Sequence, residues 1–545
     1  MALNNNNTSS NFIKQAGILA MAGIIVRIIG ILYRSPLVAI IGDKGNGYYN
    51  TAYVIYTIIL LVSSYSIPSA ISKVIAARLA LGEHKNAHRL FIASFIYVTI
   101  MGTIGSLVCY LFADRLVGPG AAQVLRVFAP TIFLSGFLGT FRGYFQAHHT
   151  MVYTSVSQIL EQILNAVVSI LAAYLFVRAL SGAGESIIAI GGAKGSAIGT
   201  GAGVLTALIF MAVMYARHYK SFKEARDRDN TEHLLSVRQV AAIIIGMVTP
   251  VILSTCIYNL SSASNLKIYQ YIMIEIFDMG EEYATTNYGL FSGKAMQIIN
   301  IPIAVASAMS AAIIPSIAHS YEKGLLDEVR DKIHRAVKVT MIIAAPSAVG
   351  LFVLAEPVTL LLYPQRASFM TVASLIRVLA VTVIFYCIST LSNAILQGTG
   401  YVNIPVVNAA LSLIIQSMLL ASLLLNTDLG LYALCFATIC YSLLMLVLNG
   451  FAIRFKLNYC QEFRKSVAGP ILAALLMGVI AFVTDRIIGD AIRNISGRPD
   501  MVISGMSNAI RLIICITVSV VSYFAMLIGL KSVTIRELKG MILRK

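Results

Sequence analysis

The stretch "GIIVRIIGILYR", residues 23–34, decides the fold class because it places two arginines in an otherwise apolar run. Arg27 and Arg34 are seven residues apart, close to two helical turns, so they share one stripe of a helix. Gly23 and Gly30 fall on the same stripe. A soluble helix would place arginines on a polar face, but this run has none. The pattern predicts a membrane-spanning helix with one thin, cationic side.

The composition of the whole chain indicates a polytopic, all-α membrane protein. Of the 545 residues, 58% are hydrophobic and 12% are charged, whereas soluble proteins carry about 25% charged residues. The net charge of +17 would suggest a nucleic acid partner in a soluble chain. Here the basic residues lie between apolar stretches, as in membrane proteins that follow the positive-inside rule, so we expect no nucleic acid partner.

Catalytic and metal-binding motifs are missing from the sequence. The cysteines show no metal-ligand spacing, and neither a Walker motif nor a metalloprotease or hydrolase motif occurs. We therefore expect no metal site, no ATP site and no enzymatic activity.

Apolar stretches of about 20 residues predict about 14 transmembrane helices. The loops after spans 2, 6, 8 and 12 and the C-terminus carry most of the basic residues, which places both termini in the cytoplasm. The predicted spans are 14–41, 48–71, 90–113, 122–146, 153–178, 195–217, 239–265, 287–314, 336–361, 370–396, 403–425, 429–453, 467–488 and 508–530.

An internal repeat relates the two halves of the chain. The segment "LRVFAPTIFLSGFLGTFRGYFQ" (125–146) aligns without a gap with "IRVLAVTVIFYCISTLSNAILQ" (376–397), so Arg126 matches Arg377. The tripeptide "IPS" also recurs, at the ends of spans 2 and 8. Two lobes of six spans each, with a parallel repeat, are typical of transporters that work by alternating access. The predicted domains are an N-lobe at 1–235 with a basic linker at 217–238, a C-lobe at 236–456, and spans 13 and 14 with a basic tail at 457–545.

Three basic side chains within spans are candidates for a binding site. An arginine at the centre of a span costs about 2.5–3.5 kcal/mol on insertion scales. Arg27 and Arg34 therefore either reach the membrane interface or line a water-filled cleft that binds an anion. Lys294 early in span 8 is either an interfacial lysine or a third cavity cation.

Polar residues in spans 4 and 5 form a second group of candidates. Glu161 lies inside span 5, with Gln158 and Gln162 beside it on the helix. The group is either a hydrogen-bonded packing cluster or a coupling site for a proton or a sodium ion. Arg142 is an anchor or a gating residue at the cytoplasmic end of span 4. The repeat-related Arg126 and Arg377 suggest a shared structural role, which includes outer gating as one possibility, at the outer ends of spans 4 and 10.

The chain resembles the MOP exporter superfamily, and within it the polysaccharide branch that contains the lipid II flippases and the stage V sporulation B proteins. The resemblance covers nearly the whole chain. It rests on the order of several motifs, which are "RIIG…R" in span 1, "IPSAISK" after span 2, "RGYFQ" and "SQILEQ" across spans 4 and 5, "GKAMQIINIP…IIPS" in span 8 and "ILQGTG…IP" after span 10.

This resemblance implies 14 spans in two lobes, a bacterial cell membrane location, and export of an undecaprenyl-pyrophosphate-linked saccharide. Basic residues on spans 1 and 8 line the cavity in that family, which implies this role for Arg27 and Lys294 and extends it to Arg34. Span 2 lacks the arginine that some flippases carry, and Lys73 at its end is the nearest basic residue. Membrane lipids and cell-wall synthases are the expected partners.

Several functions remain open at this point. Lipid II is the first expected cargo, with spore cortex, capsule or teichoic units as alternatives. A cation-coupled multidrug exporter of the same superfamily, a membrane scaffold and a membrane enzyme are the competing classes. Export driven by the membrane potential, by sodium or by protons is compatible with the sequence.

Overall fold

The computed structural model describes residues 5–65, 67–231, 233–365, 367–459, 464–496, 502–503 and 505–530. Within these ranges the chain consists of helices and short connections, without a strand. Contacts divide the chain into two compact units, Met1–Gly289 and Leu290–Lys545. The helices of the first unit are α1 (Asn5–Leu60), α2 (Ile67–Ala80), α3 (His84–Leu111), α4 (Ala113–Val117), α5 (Pro119–Ala147), α6 (Met151–Ala179), α7 (Glu185–Asp227), α8 (Val237–Tyr271) and α9 (Glu281–Gly289). Those of the second are α10 (Met296–Glu322), α11 (Leu326–Val353), α12 (Ala355–Leu362), α13 (Phe369–Gly398), α14 (Asn403–Asn426), α15 (Leu431–Leu457), α16 (Gly469–Ser496) and α17 (Met506–Gly529).

Among the described residues, twelve helical segments are long and apolar enough to cross a membrane. The expected all-α, polytopic fold class is confirmed. The first segment, Met21–Ser63, contains parts of both spans 1 and 2. Helix α1 leaves helical geometry at Gly42, where φ is 68° and ψ is −177°. Glycine adopts positive φ at little cost, and this break lies between the two predicted spans.

Some predicted features include residues that the structure does not describe in full. The span predicted at 239–265 falls on α8, and the side chains of residues 247–258 are outside the described set. The predicted basic tail, residues 531–545, lies outside the described residues altogether.

The division into compact units differs in position from the lobes inferred from the repeat. Helices α8 and α9 belong to the first unit by contact, although the repeat assigns them to the second half. The lobe boundary at 235/236 stays a prediction.

Small residues hold α6 and α7 together in the first unit. A Cβ added at Gly195 would lie 2.6 Å from the carbonyl carbon of Ala172, and Cβ atoms at Gly199 and Gly203 would also collide with α6. Glycines four residues apart on one face allow helix backbones to approach closely in a membrane. This packing fixes the position of α6, which carries the polar residues of span 5.

Helix α9 closes one end of the first unit. Glu281 accepts a hydrogen bond from the backbone N–H of Gly120 at 2.9 Å, and Glu282 forms an ion pair with Lys44. A Cβ at Gly289 would lie 2.5 Å from the Cα of Gly47, so the two backbones touch. The charge pattern predicts that this end of the unit lies outside the cell.

The second unit has a core to which the last two spans contribute. Buried side chains of α11 and α13 pack with Met477 of α16 and with Tyr523 and Leu527 of α17. Asp485 and Arg511 also join α16 to α17 through two hydrogen bonds of 2.7 and 2.6 Å. The pair of helices outside the repeat is therefore an integral part of this unit.

Candidate functional site

The cationic stripe of α1 lies in the first unit. Arg27 is exposed, and Arg34 is half-buried. Arg34 is close enough to Tyr49 to interact with it electrostatically. Between the two arginines, the ideal Cβ position of Gly30 is 3.3 Å from Nε2 of Gln162. The absence of a side chain at Gly30 thus lets an amide of α6 approach the stripe.

The structure joins two candidates that the sequence treated separately. The guanidinium of Arg142 donates to Oε2 of Glu161 at 2.7 Å and, through Nε, to Oγ of Ser157 at 2.9 Å. The side chains of Arg142 and Glu161 are only 13% and 29% exposed. Since two opposite charges meet in a partly desolvated place, each offsets the cost of burying the other. This contact resembles the predicted packing cluster, and the coupling role of Glu161 stays a prediction.

The other polar residues of α6 differ in their bonding. Asn165 accepts hydrogen bonds through Oδ1 from Ser169 at 3.0 Å and from Thr200 at 3.4 Å. Gln158 and Gln162 are half-buried. Within the described part of the chain, the side-chain amide of neither glutamine has a hydrogen-bond partner.

Lys294 is fully buried within the second unit. Its Nζ donates to Oε1 of Gln365 at 3.0 Å and to Oγ of Ser368 at 3.1 Å. It also lies 5.4 Å from the ring centre of Tyr363, a cation–π distance. Lys294 is therefore not an exposed interfacial lysine in this structure, and its predicted role as a cavity cation stays untested.

The remaining candidates lie apart from these groups. Lys73 is exposed on α2. Arg126 pairs with Asp114, and Arg377 pairs with Glu356 at 2.6 Å. Each acid is the second residue of the short helix that precedes the helix carrying the arginine. The two repeat-related arginines thus have equivalent partners, and their shared role at the outer ends of the spans stays a prediction.

The sequence did not single out the residues that contact Lys294 or the two stacked tyrosines of α1. Tyr363, Gln365 and Ser368 precede α13 in a connection that has no long counterpart before α5, since only Gly118 separates α4 from α5 there. This longer connection was the sequence feature that could have pointed to these three residues. Tyr49 and Tyr53 stack with ring centres 5.7 Å apart on the same face of α1, and their spacing of four residues was a signal as well.

A family model described as "Polysaccharide biosynthesis protein" matches residues 12–321, more than half of the chain. The chain belongs to this family. A second model, MatE, matches residues 292–423. The expected membership in the polysaccharide branch of the MOP superfamily is confirmed.

Two relatives of this family member come from Bacillus subtilis (strain 168). Stage V sporulation protein B is 23% identical over 451 residues, covering 80% of this chain and 82% of the relative. Lipid II flippase MurJ is 21% identical over 426 residues, covering 75% of this chain and 77% of the relative.

Solved structures show the same fold. Lipid II flippase MurJ in an inward closed conformation matches with a TM-score of 0.66 and 13% identity, covering 92% of this chain and 97% of that one. A multidrug resistance MATE transporter in an inward-facing conformation matches with a TM-score of 0.62 and 16% identity, covering 81% and 98%. By their printed names, MurJ is a flippase and the MATE protein is a multidrug resistance transporter. The shared fold and the twelve candidate spans among the described residues show that this chain is a multi-pass membrane protein.

Proposed function

We propose that the protein is a flippase that moves an undecaprenyl-pyrophosphate-linked saccharide from the inner to the outer leaflet, with lipid II as the first candidate cargo. The observation that carries this proposal is the stripe of Arg27, Gly30 and Arg34 within a membrane span. Arg27 is exposed there, and a guanidinium at that depth requires water or an anion because hydrocarbon solvates it poorly. Guanidinium groups match pyrophosphate oxygens in charge and geometry.

The relatives support the same class of cargo. A lipid II flippase and a sporulation protein match three quarters or more of the chain. In our proposal the lipid tail stays in the bilayer while the charged head crosses a wet cavity by alternating access, in a bacterial cell membrane with both termini in the cytoplasm. Membrane lipids are the surrounding partners, and cell-wall synthases would use the exported cargo.

The multidrug exporter is the weaker candidate. A cationic drug needs an acidic group that can exchange its partner for the drug, and Glu161 is already paired with Arg142. The intramembrane cations Arg27 and Arg34 would repel such a drug.

The test is depletion of the protein in its own host, followed by measurement of lipid II accessible on the outer face. We expect depletion to reduce the amount of lipid II on the outer face. Expression of Arg27→Ala should restore at most a tenth of the lost lipid II exposure, because a charge-assisted hydrogen bond contributes about 1.5–3 kcal/mol. Arg217→Ala, which removes an exposed arginine about three turns before the end of α7, is the matched control and should restore full exposure. Lys294→Ala tests the second-unit cation in the same assay.

The outcomes separate the competing proposals. Unchanged lipid II exposure with accumulation of another lipid-linked saccharide inside would identify spore cortex, capsule or teichoic units as the cargo. Full export by Arg27→Ala would contradict the proposal that Arg27 binds the anion. It would favour a membrane scaffold, because a scaffold does not need the intramembrane cations.

A further inference from the structure

Helix α6 has two opposite faces, one apolar and one polar. Val156, Ile163 and Val167 are 37%, 41% and 56% exposed. The polar residues, spaced by three or four positions, share the other face. They are Gln158, Glu161, Gln162 and Asn165. Since a membrane helix turns its apolar side to lipid, the polar side faces the interior of the first unit.

The side-chain amides of the two glutamines on this polar face, Gln158 and Gln162, have no hydrogen-bond partner among the described residues, although both side chains are half-buried. A primary amide carries two donor hydrogens and an acceptor oxygen, and leaving these unbonded in an apolar medium is costly. A packing cluster would satisfy them, as Glu161 is satisfied by Arg142. The amides are therefore suited to a polar ligand or to the water that it displaces.

The Gln162 amide lies beside the cationic stripe of α1. The Gln162 amide nitrogen lies 3.3 Å from the position that a Cβ of Gly30, the residue between Arg27 and Arg34, would take. A ligand with its anion at the arginines would thus place its neighbouring groups against α6.

An aromatic face adjoins the polar one. Tyr53 stacks on Tyr49 and is half-buried, and the Tyr49 hydroxyl is 3.5 Å from Oγ1 of Thr200, which in turn donates to Asn165. Tyr56, one turn beyond Tyr53, lies within electrostatic range of Glu161. Aromatic rings next to neutral amides combine an apolar surface for ring C–H groups with hydrogen-bonding partners for hydroxyl groups.

We propose that Gln158, Gln162 and Asn165, with Tyr53, form a subsite for the saccharide part of the cargo, separate from the cations that bind its pyrophosphate. The inference rests on the proposed function and adds to it the group that recognises the neutral sugar. Hydroxyl and acetamido groups both donate and accept hydrogen bonds, as amides do, whereas the pyrophosphate only accepts them.

The experiment compares two lipids that share the undecaprenyl chain and the pyrophosphate, only one of which carries a saccharide with its attached peptide. Purified full-length protein is titrated with lipid II and with undecaprenyl pyrophosphate, and each affinity is measured by native mass spectrometry. The wild type should prefer lipid II. The double variant Gln158→Met/Gln162→Met keeps side-chain length but removes the amides. It should bind lipid II about tenfold more weakly and undecaprenyl pyrophosphate within twofold of the wild type.

Controls distinguish a subsite from a packing role. Gln123→Ala removes an exposed amide that bonds only to Lys194 among the described residues, and it should leave both affinities unchanged. Because the two glutamines have no described protein partner, the double Met variant should melt at or above the wild-type temperature. A clear loss of thermal stability would indicate packing and would overturn the subsite.

Different results would contradict the saccharide subsite and the proposed flippase function. A double Met variant with the wild-type ratio of affinities overturns the saccharide subsite while the flippase proposal stands. A wild type that binds undecaprenyl pyrophosphate but shows no preference for lipid II also overturns it. A wild type that binds neither lipid contradicts the proposed function and the subsite together.

Discussion

Arg142 and Glu161 show how one ion pair allows two charges to lie inside a membrane helix bundle. Neither residue type is favourable in a span by itself. The 2.7 Å contact between them, with Ser157 as a second acceptor for Arg142, joins α5 to α6 at the level of the polar face. Removing one partner leaves the other charge partly buried and unpaired, which costs more than the pair contributes.

We therefore predict that Glu161→Gln destabilises the protein, by about 2 kcal/mol given partial burial of the pair. The double variant Arg142→Gln/Glu161→Gln should recover most of this loss, because no unpaired charge remains. Thermal unfolding of the purified variants in one detergent measures both effects. Equal melting temperatures of Glu161→Gln and the wild type would contradict the prediction.

At the scale of elements, the connection between α7 and α8 is a docked segment. Asp229 accepts a 2.7 Å hydrogen bond from the backbone N–H of Lys85 at the start of α3. The side chain of Asn86 donates to the carbonyl of His233 and accepts from the N–H of Leu235. The predicted basic linker thus includes a part that is fixed to the first unit at the end predicted to be cytoplasmic.

Asp229 makes this docking dependent on pH. Burial alone would raise the pKa of the Asp229 carboxyl, but hydrogen bonds from Lys85 and Thr231 outweigh it and lower the pKa to about 2. In an unfolded chain the pKa is about 3.9. The stabilisation by ionised Asp229 is therefore fully present above about pH 4 and is lost as the pH falls through about 2, with a magnitude of about 2 kcal/mol.

We predict that Asp229→Ala undocks the connection at pH 7. Hydrogen exchange of the backbone amides at 228–236 should be about tenfold or more faster than in the wild type. Asp227→Asn, which changes an exposed carboxyl two residues away, should leave exchange unchanged. In the wild type, protection corrected for the intrinsic exchange rate should decline below pH 4. Equal exchange in Asp229→Ala and the wild type would show that the carboxyl does not hold the segment.

At the scale of the whole molecule, the proposed transport moves negative charge outward. With a negative cell interior, the membrane potential favours this movement by about 2.3 kcal/mol per charge for each 100 mV. No ATP motif occurs in the sequence. We therefore propose that the potential drives export.

We predict that collapse of the potential with valinomycin and high external potassium slows the appearance of lipid II on the outer face. Nigericin, which removes the proton gradient, and sodium-free medium test proton and sodium coupling in the same cells. An export rate that is unaffected by valinomycin but reduced in either of the other conditions would assign the driving force to that ion instead.

Sequence information alone determined the class of the protein, the approximate positions of its helices and the internal repeat. These features depend on local hydrophobicity and on residue spacing, which need no knowledge of distant contacts. The Arg27–Arg34 stripe belongs to them because helical periodicity alone places the two residues on one side. The equivalent ion pairs of Arg126 and Arg377 extend the repeat from sequence to structure.

Only the tertiary structure decided which polar residues meet. Arg142 and Glu161 lie on different helices, and Gln365 and Ser368 reach Lys294 across more than 70 positions of sequence. Such contacts depend on the rotation of each helix about its axis and on how closely small residues let neighbours approach. Gly30 of α1 and Gly203 of α7 set how closely these two helices approach α6. A pattern of hydrophobicity carries no information about such distances.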